Sequence, residues 1–153
     1  MANTYTQLYY HVVFVVKRRR NLIQPKWKTE LYKYIVGIVN NKNHKIVVIN
    51  GMPDHVHILL RAKPDINLSH IMRDIKANSS RYINQRKWVR GKFEWQVGFA
   101  AFTVGYSQVD MVINYIERQE EHHIKKSFRQ EYISFLEDNG IAYDTQYIFE
   151  EVE

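Results

Sequence analysis

The 153-residue sequence contains no cysteine, three prolines and six glycines. Without cysteine, the chain can form neither disulfides nor a thiolate zinc site, and it has no thiol nucleophile. No uninterrupted apolar run approaches the roughly 20 residues that a membrane-spanning helix needs. The apolar run near the N-terminus is not preceded by the positive residues of a signal peptide. We therefore expect a soluble, cytoplasmic protein with no membrane association.

The length and the charge of the chain indicate how many domains it has and what kind of partner it binds. A length of 153 residues fits one domain, 1–153, with a sizeable core. The formal net charge of +6 favours a polyanionic partner, most simply nucleic acid. The 11 tyrosines add aromatic faces on which unpaired bases can stack.

Hydrophobic periodicity and turn residues predict a β-α-β-β-α-β order in a core of residues 4–104. This order indicates an α+β, ferredoxin-like (split β-α-β) fold, in which a four-stranded antiparallel sheet carries helices on one face. We expect the other face to be free for a ligand or partner. The predicted elements are a strand over 4–16, a helix from 25 to about 41, strands over 45–49 and 55–62, a helix over 68–86 and a strand over 98–104.

Two histidines stand two residues apart on the third predicted strand, after a turn marked by Gly51 and Pro53. Residues i and i+2 of a strand point to the same face, so His55 and His57 lie side by side. Imidazole binds divalent metals well. Two histidines do not complete a metal site, however, and ordinary sheet residues remain the alternative.

A third helix, predicted over 108–125, begins at a Ser107-x-x-Asp110 capping box. Tyr115 lies away from the apolar stripe of this helix, and Gln119 is stacked one turn further on the same side. The alternative for this isolated pair is a surface tyrosine in a helix or subunit contact.

The spacing also permits chemistry on a phosphodiester. A tyrosine hydroxyl, with a pKa near 10, can form a covalent intermediate when it is activated and held in line with its target. A metal held by His55, His57 and the Gln119 carbonyl oxygen could polarise the phosphodiester as a Lewis acid and template. The mixed nitrogen and oxygen ligands suggest Mg²⁺ or Mn²⁺.

Basic side chains occur in two places where phosphates could be contacted. One is the run Lys17, Arg18, Arg19 and Arg20 at the end of the first strand. The other is a face of the second helix, which carries Arg73, Lys76 and Arg81. Both sets could equally be solvated surface.

The C-terminal part is predicted to contain one more helix, over 128–138, which starts at a Ser127-x-x-Gln130 capping box. His122 and His123 fall near the end of the preceding helix, where solvated residues are the default. The acidic tail from Asp144 to Glu153 either packs on a partner or frays.

Several motifs together resemble the HUH-type single-tyrosine transposases of the insertion-sequence 200/605 group, which include repeat-associated tyrosine transposases. The resemblance covers nearly the whole chain, and it rests chiefly on the combination of the histidine pair with Tyr-x-x-x-Gln. The matching motifs are Tyr10-His11-Val-Val-Phe14, Asn50-Gly-Met-Pro-Asp-His-Val-His57, Trp95-Gln96, Ala101-Phe102, Tyr115-Ile-Glu-Arg-Gln119, Ser127-Phe128, Tyr132-Ile-Ser-Phe135 and Gly140-Ile-Ala-Tyr143-Asp144.

The resemblance implies an enzyme that cuts and rejoins single-stranded DNA beside a foldback hairpin. It implies that Tyr115 becomes joined to a 5′ phosphate and leaves a free 3′ hydroxyl, and that a divalent metal but no nucleotide cofactor is used. It also implies a homodimer, in which Tyr115 of one copy would complete the His55 and His57 pair of the other.

Three alternatives to an element-specific transposase are considered. One is a domesticated relative that processes dispersed palindromes. Another is a non-catalytic DNA- or RNA-binding module of RRM-like topology. A longer plasmid-nicking protein with the same histidine pair is a third, but it would have domains that this chain lacks.

Overall fold

The structure, a computed structural model, describes residues 3–121 and 127–143. Its core has the predicted β-α-β-β-α-β order. The elements are β1 (Leu8–Val15), α1 (Pro25–Asn41), β2 (Lys45–Met52), β3 (His55–Ala62), α2 (Leu68–Arg86) and β4 (Ala100–Val104).

The four strands form one sheet in the order β2-β3-β1-β4, and every pair is antiparallel. This arrangement confirms the ferredoxin-like fold. β1 is central, as the apolar character of both its faces predicts. It is shorter than the predicted 4–16, since its pairing with β3 begins at Leu8 opposite Ala62. β2 is longer than predicted, and β4 starts two residues later than predicted.

Helices α1 and α2 pack on one face of the sheet and bury the main hydrophobic core. α1 begins at Pro25, because proline suits the first turn of a helix, where its missing N–H is not needed. α2 is capped by the Asn67 side chain, which accepts a hydrogen bond from the His70 N–H at 3.1 Å. The core residues include Val12, Phe14, Val56, Ile58, Leu60, Trp27, Leu31, Ile35, Ile71, Met72 and Ile75.

The second sheet face is covered, so the prediction that it would be free was wrong. Two further helices, α3 (Val109–Glu117) and α4 (Phe128–Asp138), lie on it. The physical reason is that this face also carries apolar side chains that need cover. Val13, Val15 and Phe102 pack with Phe128 and Leu136 of α4.

The predicted helix over 108–125 is interrupted. α3 ends at Glu117, and Arg118 has a non-helical backbone conformation (φ −101°, ψ 32°). Residues 119–121 are helical again. The Asn50 side-chain amide donates to the carbonyl oxygens of Ile116 and Glu117, at 3.0 and 3.2 Å. In a continuous helix these carbonyl oxygens would accept from backbone N–H groups, and here the Asn50 amide takes the place of those donors.

Only one of the two predicted capping boxes is formed. The Ser107-x-x-Asp110 box is not formed, because residues 106–108 make a 3₁₀ turn whose Gln108 precedes the helix as its N-cap. The Ser127-x-x-Gln130 box is confirmed: Ser127 Oγ accepts from the Gln130 N–H at 3.3 Å, and Gln130 Oε1 accepts from the Ser127 N–H at 3.1 Å. Among the described residues, no helix is long and apolar enough to cross a membrane.

Candidate metal and tyrosine site

His55 and His57 lie on the second sheet face at one end of β3. Their ring centroids are 5.1 Å apart, and both side chains are fully buried. The turn before them requires glycine at Gly51, because a Cβ there would collide with the carbonyl oxygen of His55. The strand alternation therefore brings the two imidazoles together as predicted.

Each of these histidines uses its Nδ1 atom for a contact that orients the ring. His55 Nδ1 lies 2.7 Å from Asp54 Oδ1, and His57 Nδ1 lies 2.8 Å from His11 Nε2. Burial, and then the nearby His57, lower the pKa of His11 to about 3, so this ring is neutral. A carboxylate or imidazole behind a metal-binding histidine fixes its orientation and leaves the other ring nitrogen for the ion.

The two Nε2 atoms face oxygen atoms from two different helical segments. His55 Nε2 lies 3.2 Å from Gln119 Oε1, and His57 Nε2 lies 3.0 Å from a carboxylate oxygen of Glu131 on α4. One ligand atom from each of His55, His57 and Glu131 falls within 4.8 Å of the others. We call His55, His57, Gln119 and Glu131 the histidine site.

These positions fit a small divalent ion. The Asp54 carboxylate accepts a hydrogen bond from His55 Nδ1–H, so Nε2 of the neutral ring presents a lone pair to the Gln119 carbonyl oxygen. Two acceptors at 3.2 Å repel each other unless a cation lies between them. Neighbouring ligands of an octahedral ion bound at about 2.1 Å are about 3.0 Å apart, close to the spacing found here.

Tyr115 lies beside the histidine site. Its ring centroid is 5.8 Å from that of His57 and 6.2 Å from that of His11. Burial, and then the negative charge of Glu131, raise the pKa of the Tyr115 hydroxyl. The hydroxyl is therefore protonated at neutral pH in this arrangement and would need activation to act as a nucleophile.

Gln119 reaches the site although the helix breaks before it. Its side-chain N–H donates to the backbone carbonyl of Tyr115 at 3.3 Å, which turns Oε1 toward His55. The two residues are therefore neighbours as predicted, but Gln119 follows the break at Arg118 instead of continuing α3. His122, His123 and the tail from Asp144 lie outside the described residues.

Sequence reasoning assigned no site role to three residues around the histidine site. His11 could have been found, because it shares the inward alternation of Val13 and Val15 on β1. Asp54 could also have been suspected, since a carboxylate directly before a metal-binding histidine often orients it. Glu131 gave no local signal, because it reaches the site only through the packing of α4.

Arg19, predicted as a phosphate contact, also lies beside Asp54 and connects the basic run to this site. Arg18 and Arg19 both have positive φ angles, 59° and 53°, which non-glycine residues adopt at a cost. The Arg19 side chain turns inward, with Nε 3.5 Å from Asp54 Oδ2 and the guanidinium carbon 5.6 Å from the centre of the Phe128 ring. Burial alone would raise the pKa of Asp54, but the hydrogen bond from His55 and the charge of Arg19 outweigh it and lower the pKa.

The other basic residues lie on the opposite side of the sheet, around α2. A groove of about 630 Å³, which we call the α2 groove, is bordered by cations from three parts of the chain. Lys76 is half-buried there and donates to the backbone carbonyls of Gln96 and Gly98. Arg18 and Arg20 line a separate, smaller hollow. The cations of the α2 groove are Lys17, Arg73, Lys76, Arg81 and Lys92.

Comparison with protein families and curated proteins gives consistent matches. A family model described as "Transposase IS200 like" matches residues 4–119. The chain is 26% identical over 120 residues to the ISDra2 transposase TnpA of Deinococcus radiodurans, across 75% of this chain and 86% of that protein. It is 27% identical over 110 residues to the transposase for insertion sequence element IS200 of Salmonella typhimurium, across 64% of this chain and 72% of that protein.

Two solved structures share the fold. A protein of Deinococcus radiodurans crystallised as a transposase candidate aligns with a TM-score of 0.60 at 24% identity, covering 78% of this chain and 95% of that one. A REP-associated tyrosine transposase bound to a REP hairpin aligns with a TM-score of 0.58 at 16% identity, covering 76% of this chain and 68% of that one. At these identities the structural matches establish the fold alone.

Proposed function

The chain belongs to the IS200-like transposase family, and we propose that it cleaves and rejoins single-stranded DNA through a covalent bond between Tyr115 and a 5′ phosphate. The observation that carries this proposal is the packing of Tyr115 against His57 at 5.8 Å between ring centroids, with Gln119 on His55 at 3.2 Å. A nucleophile and three candidate ligand residues thus converge from distant parts of the sequence.

In the proposed reaction, the Tyr115 hydroxyl oxygen attacks phosphorus and gives up its proton. The new oxygen–phosphorus bond forms as the bond to the 3′ oxygen breaks, and that oxygen takes up a proton. A 3′ hydroxyl later attacks the phosphotyrosine, so the strand is resealed in a new order and Tyr115 is released. The bond energy is kept in the covalent intermediate, and therefore no nucleotide cofactor is required.

We propose that Nε2 of His55, Nε2 of His57 and Oε1 of Gln119 hold Mg²⁺ or Mn²⁺, with the carboxylate of Glu131 within reach of the same position. When bound, such an ion supplies positive charge that favours attack on a phosphodiester. The chain's own contribution is orientation: Asp54 and His11 hold the two imidazoles from behind, and burial keeps bulk water away.

We propose that DNA phosphates bind in the α2 groove and along the neighbouring basic run. Lys17 converges there with Arg73, Lys76 and Arg81 of α2, although it is distant from them in the sequence. The set supports phosphate contact better than a dispersed charge would. The relative bound to a REP hairpin makes a hairpin with single-stranded flanks the first substrate to test. Since such DNA is intracellular, the proposed site of action is the cytoplasm.

The subunit arrangement is part of the proposal. We propose a homodimer, as the family resemblance implies, in which Tyr115 acts with the histidine pair of its own chain. The proximity of Tyr115 to His57 within one chain supports the same-chain arrangement. Exchange of Tyr115 between the two subunits is the alternative that the sequence resemblance implies.

The test is a protein–DNA adduct that survives denaturant. The full chain is mixed with Mn²⁺ and single-stranded DNA carrying hairpins from around its own gene. We expect a shifted band with wild type, none with Tyr115→Phe, and none after a chelator is added. Tyr106→Phe is a matched control, because Tyr106 is 72% exposed on the turn just before α3. An adduct that persists in Tyr115→Phe would assign the nucleophile to another residue, and DNA binding without any adduct would favour a binding module.

A further inference from the structure

Helix α4 covers the histidine site on the side that faces away from the sheet. The Phe128 ring lies flat on the His55 imidazole, with ring centroids 3.6 Å apart and an interplanar angle of 2°. Glu131 places a carboxylate oxygen 3.0 Å from His57 Nε2. Because His55, His57 and Gln119 are fully buried, a phosphodiester cannot touch them while α4 occupies this position.

The two α4 side chains that contact the histidines, Phe128 and Glu131, resemble the two parts of a nucleotide: its base and its phosphate. A flat aromatic ring stacked on an imidazole occupies the position that a nucleobase would take. A carboxylate beside the two Nε2 atoms occupies the position of a phosphate oxygen, since both are anionic oxygen acceptors. The Arg19 guanidinium, 5.6 Å from the centre of the Phe128 ring, would then face either the base or its phosphate.

α4 buries fewer side chains than either α1 or α2. Its buried side chains are Phe128, Glu131 and Leu136, and two of these are the residues that cover the histidines. Leu136 packs with Val13, Val15, Ala100 and Phe102. By contrast, α1 alone buries five side chains in the main core. The main core under α1 and α2 contains no residue of α4, so it would stay buried if α4 were displaced.

We propose that the space under α4 is a binding site for one unpaired nucleotide of single-stranded DNA, whose base stacks on His55 and whose phosphate lies beside His57, and that Phe128 and Glu131 occupy it until DNA displaces them. This inference rests on the proposed function, because it takes single-stranded DNA as the ligand. It adds that the described chain is in a closed state, and that α4 competes with the substrate.

Cysteine labelling can test the displacement, because the natural chain contains no cysteine. Ala100→Cys places a thiol on β4 beneath α4, at a position 7% exposed, and Leu136→Cys places one on the covering helix itself. Ala62→Cys is the matched control: it is 6% exposed on the same sheet, but it faces the α1 and α2 layer at the far end of β3. Each is made in the Tyr115→Phe background so that bound DNA stays intact.

We expect the two reporter thiols to react slowly in the free protein. With Mn²⁺ and saturating hairpin DNA, their reaction rates should rise by about tenfold or more, as in local opening of a helix. The reaction rate of the Ala62→Cys control should not change. Fluorescence anisotropy on the same samples reports whether DNA is bound. Thiols that stay protected while DNA is bound would overturn the proposal, as would an absence of DNA binding.

Leu136→Ala provides a second, independent test, because it loosens α4 without altering the histidine site. If α4 competes with DNA, this variant should bind single-stranded DNA about threefold to tenfold more tightly than wild type. Weaker binding would mean that α4 is part of the DNA-binding surface, contrary to the proposal. Failure of the proposed chemistry has a different signature: the thiols become exposed with DNA, yet wild type forms no adduct.

Discussion

The two faces of the sheet are built from the same strands but for different tasks. On β3, Val56, Ile58 and Leu60 point into the apolar core under α1 and α2. The residues that alternate with them include His55 and His57, which point to the face beneath α3 and α4. A single strand therefore contributes alternately to a dry core and to a polar site.

The energetic costs of the two faces differ. Apolar burial stabilises the fold directly, whereas each buried polar group loses hydration unless it is hydrogen-bonded. On the second face, His11, Asp54, His55, His57, Gln119 and Glu131 are all buried. The comparison indicates that the packing of α1 and α2 contributes most to the stability of the fold. The second layer holds polar groups in fixed positions, which lowers that stability.

The largest effect is expected from the histidine site itself. His57→Ala removes one nitrogen ligand and should abolish measurable Mn²⁺ binding, detected by electron paramagnetic resonance of the free ion. The matched control is His44→Ala, since His44 is also buried but accepts from the Lys63 N–H at the far side of the sheet. Equal loss of Mn²⁺ binding in both variants would remove the distinction between the faces.

Substitution of a neighbouring residue on the same strand should lower the stability and leave metal binding unchanged. Ile58→Ala opens a cavity in the main core and should lower the free energy of unfolding by about 2–5 kcal/mol in urea titrations. Mn²⁺ affinity, measured where the variant is folded, should be unchanged. A large loss of Mn²⁺ affinity in Ile58→Ala would show that the two faces are not separable.

A smaller effect is expected behind the metal ligands. Asp54→Asn weakens the contact that orients His55 and should reduce Mn²⁺ affinity by about 10–100-fold. Asp74→Asn is the control, because Asp74 pairs with Lys42 on the other side of the molecule. Unchanged affinity in Asp54→Asn would exclude an orienting role for this carboxylate.

The smallest effect concerns the α2 groove and its pH dependence. Burial lowers the pKa of Lys76 to about 8, so this cation is present at pH 7 and largely lost at pH 9. DNA affinity should therefore fall severalfold as the pH rises over this interval, in anisotropy measurements at fixed salt. Lys76→Arg should remove that fall, because arginine stays protonated. The same pH dependence in the arginine variant would assign it to another group.

Much of the fold was predictable because it follows from local periodicity. The bounds of α1, α2 and α4 and the strand order agree with the expectations, since each helix has its own apolar spacing and terminal signals. The break at Arg118 was not predictable, because it depends on the Asn50 amide reaching carbonyls of α3 from another element. The cover over the second face was missed for a related reason: the two helices that follow the core were predicted, but their docking on this face depends on tertiary packing.

The candidate site was predictable where its residues are close in sequence or match a family motif. The placement of His55 beside His57 follows from strand alternation. Tyr115 and Gln119 were assigned through the family resemblance, because their spacing alone left a surface contact open. Glu131 and Arg19 could not be inferred in the same way, because their contacts depend on how α4 and the turn after β1 fold against Asp54 and His57. Spacing along the chain carries no information on such packing.

The most direct test of the account is complementation between two inactive proteins. Tyr115→Phe retains the histidine pair, and His57→Ala retains the tyrosine. The two are mixed, unfolded and refolded together so that any subunits exchange, and adduct formation is measured with Mn²⁺ and hairpin DNA. If the second face of one chain carries the complete site, the mixture stays inactive. Recovery of about a quarter of the wild-type adduct, as random pairing in a dimer would give, would contradict it, because Tyr115 would then act on the histidines of the partner.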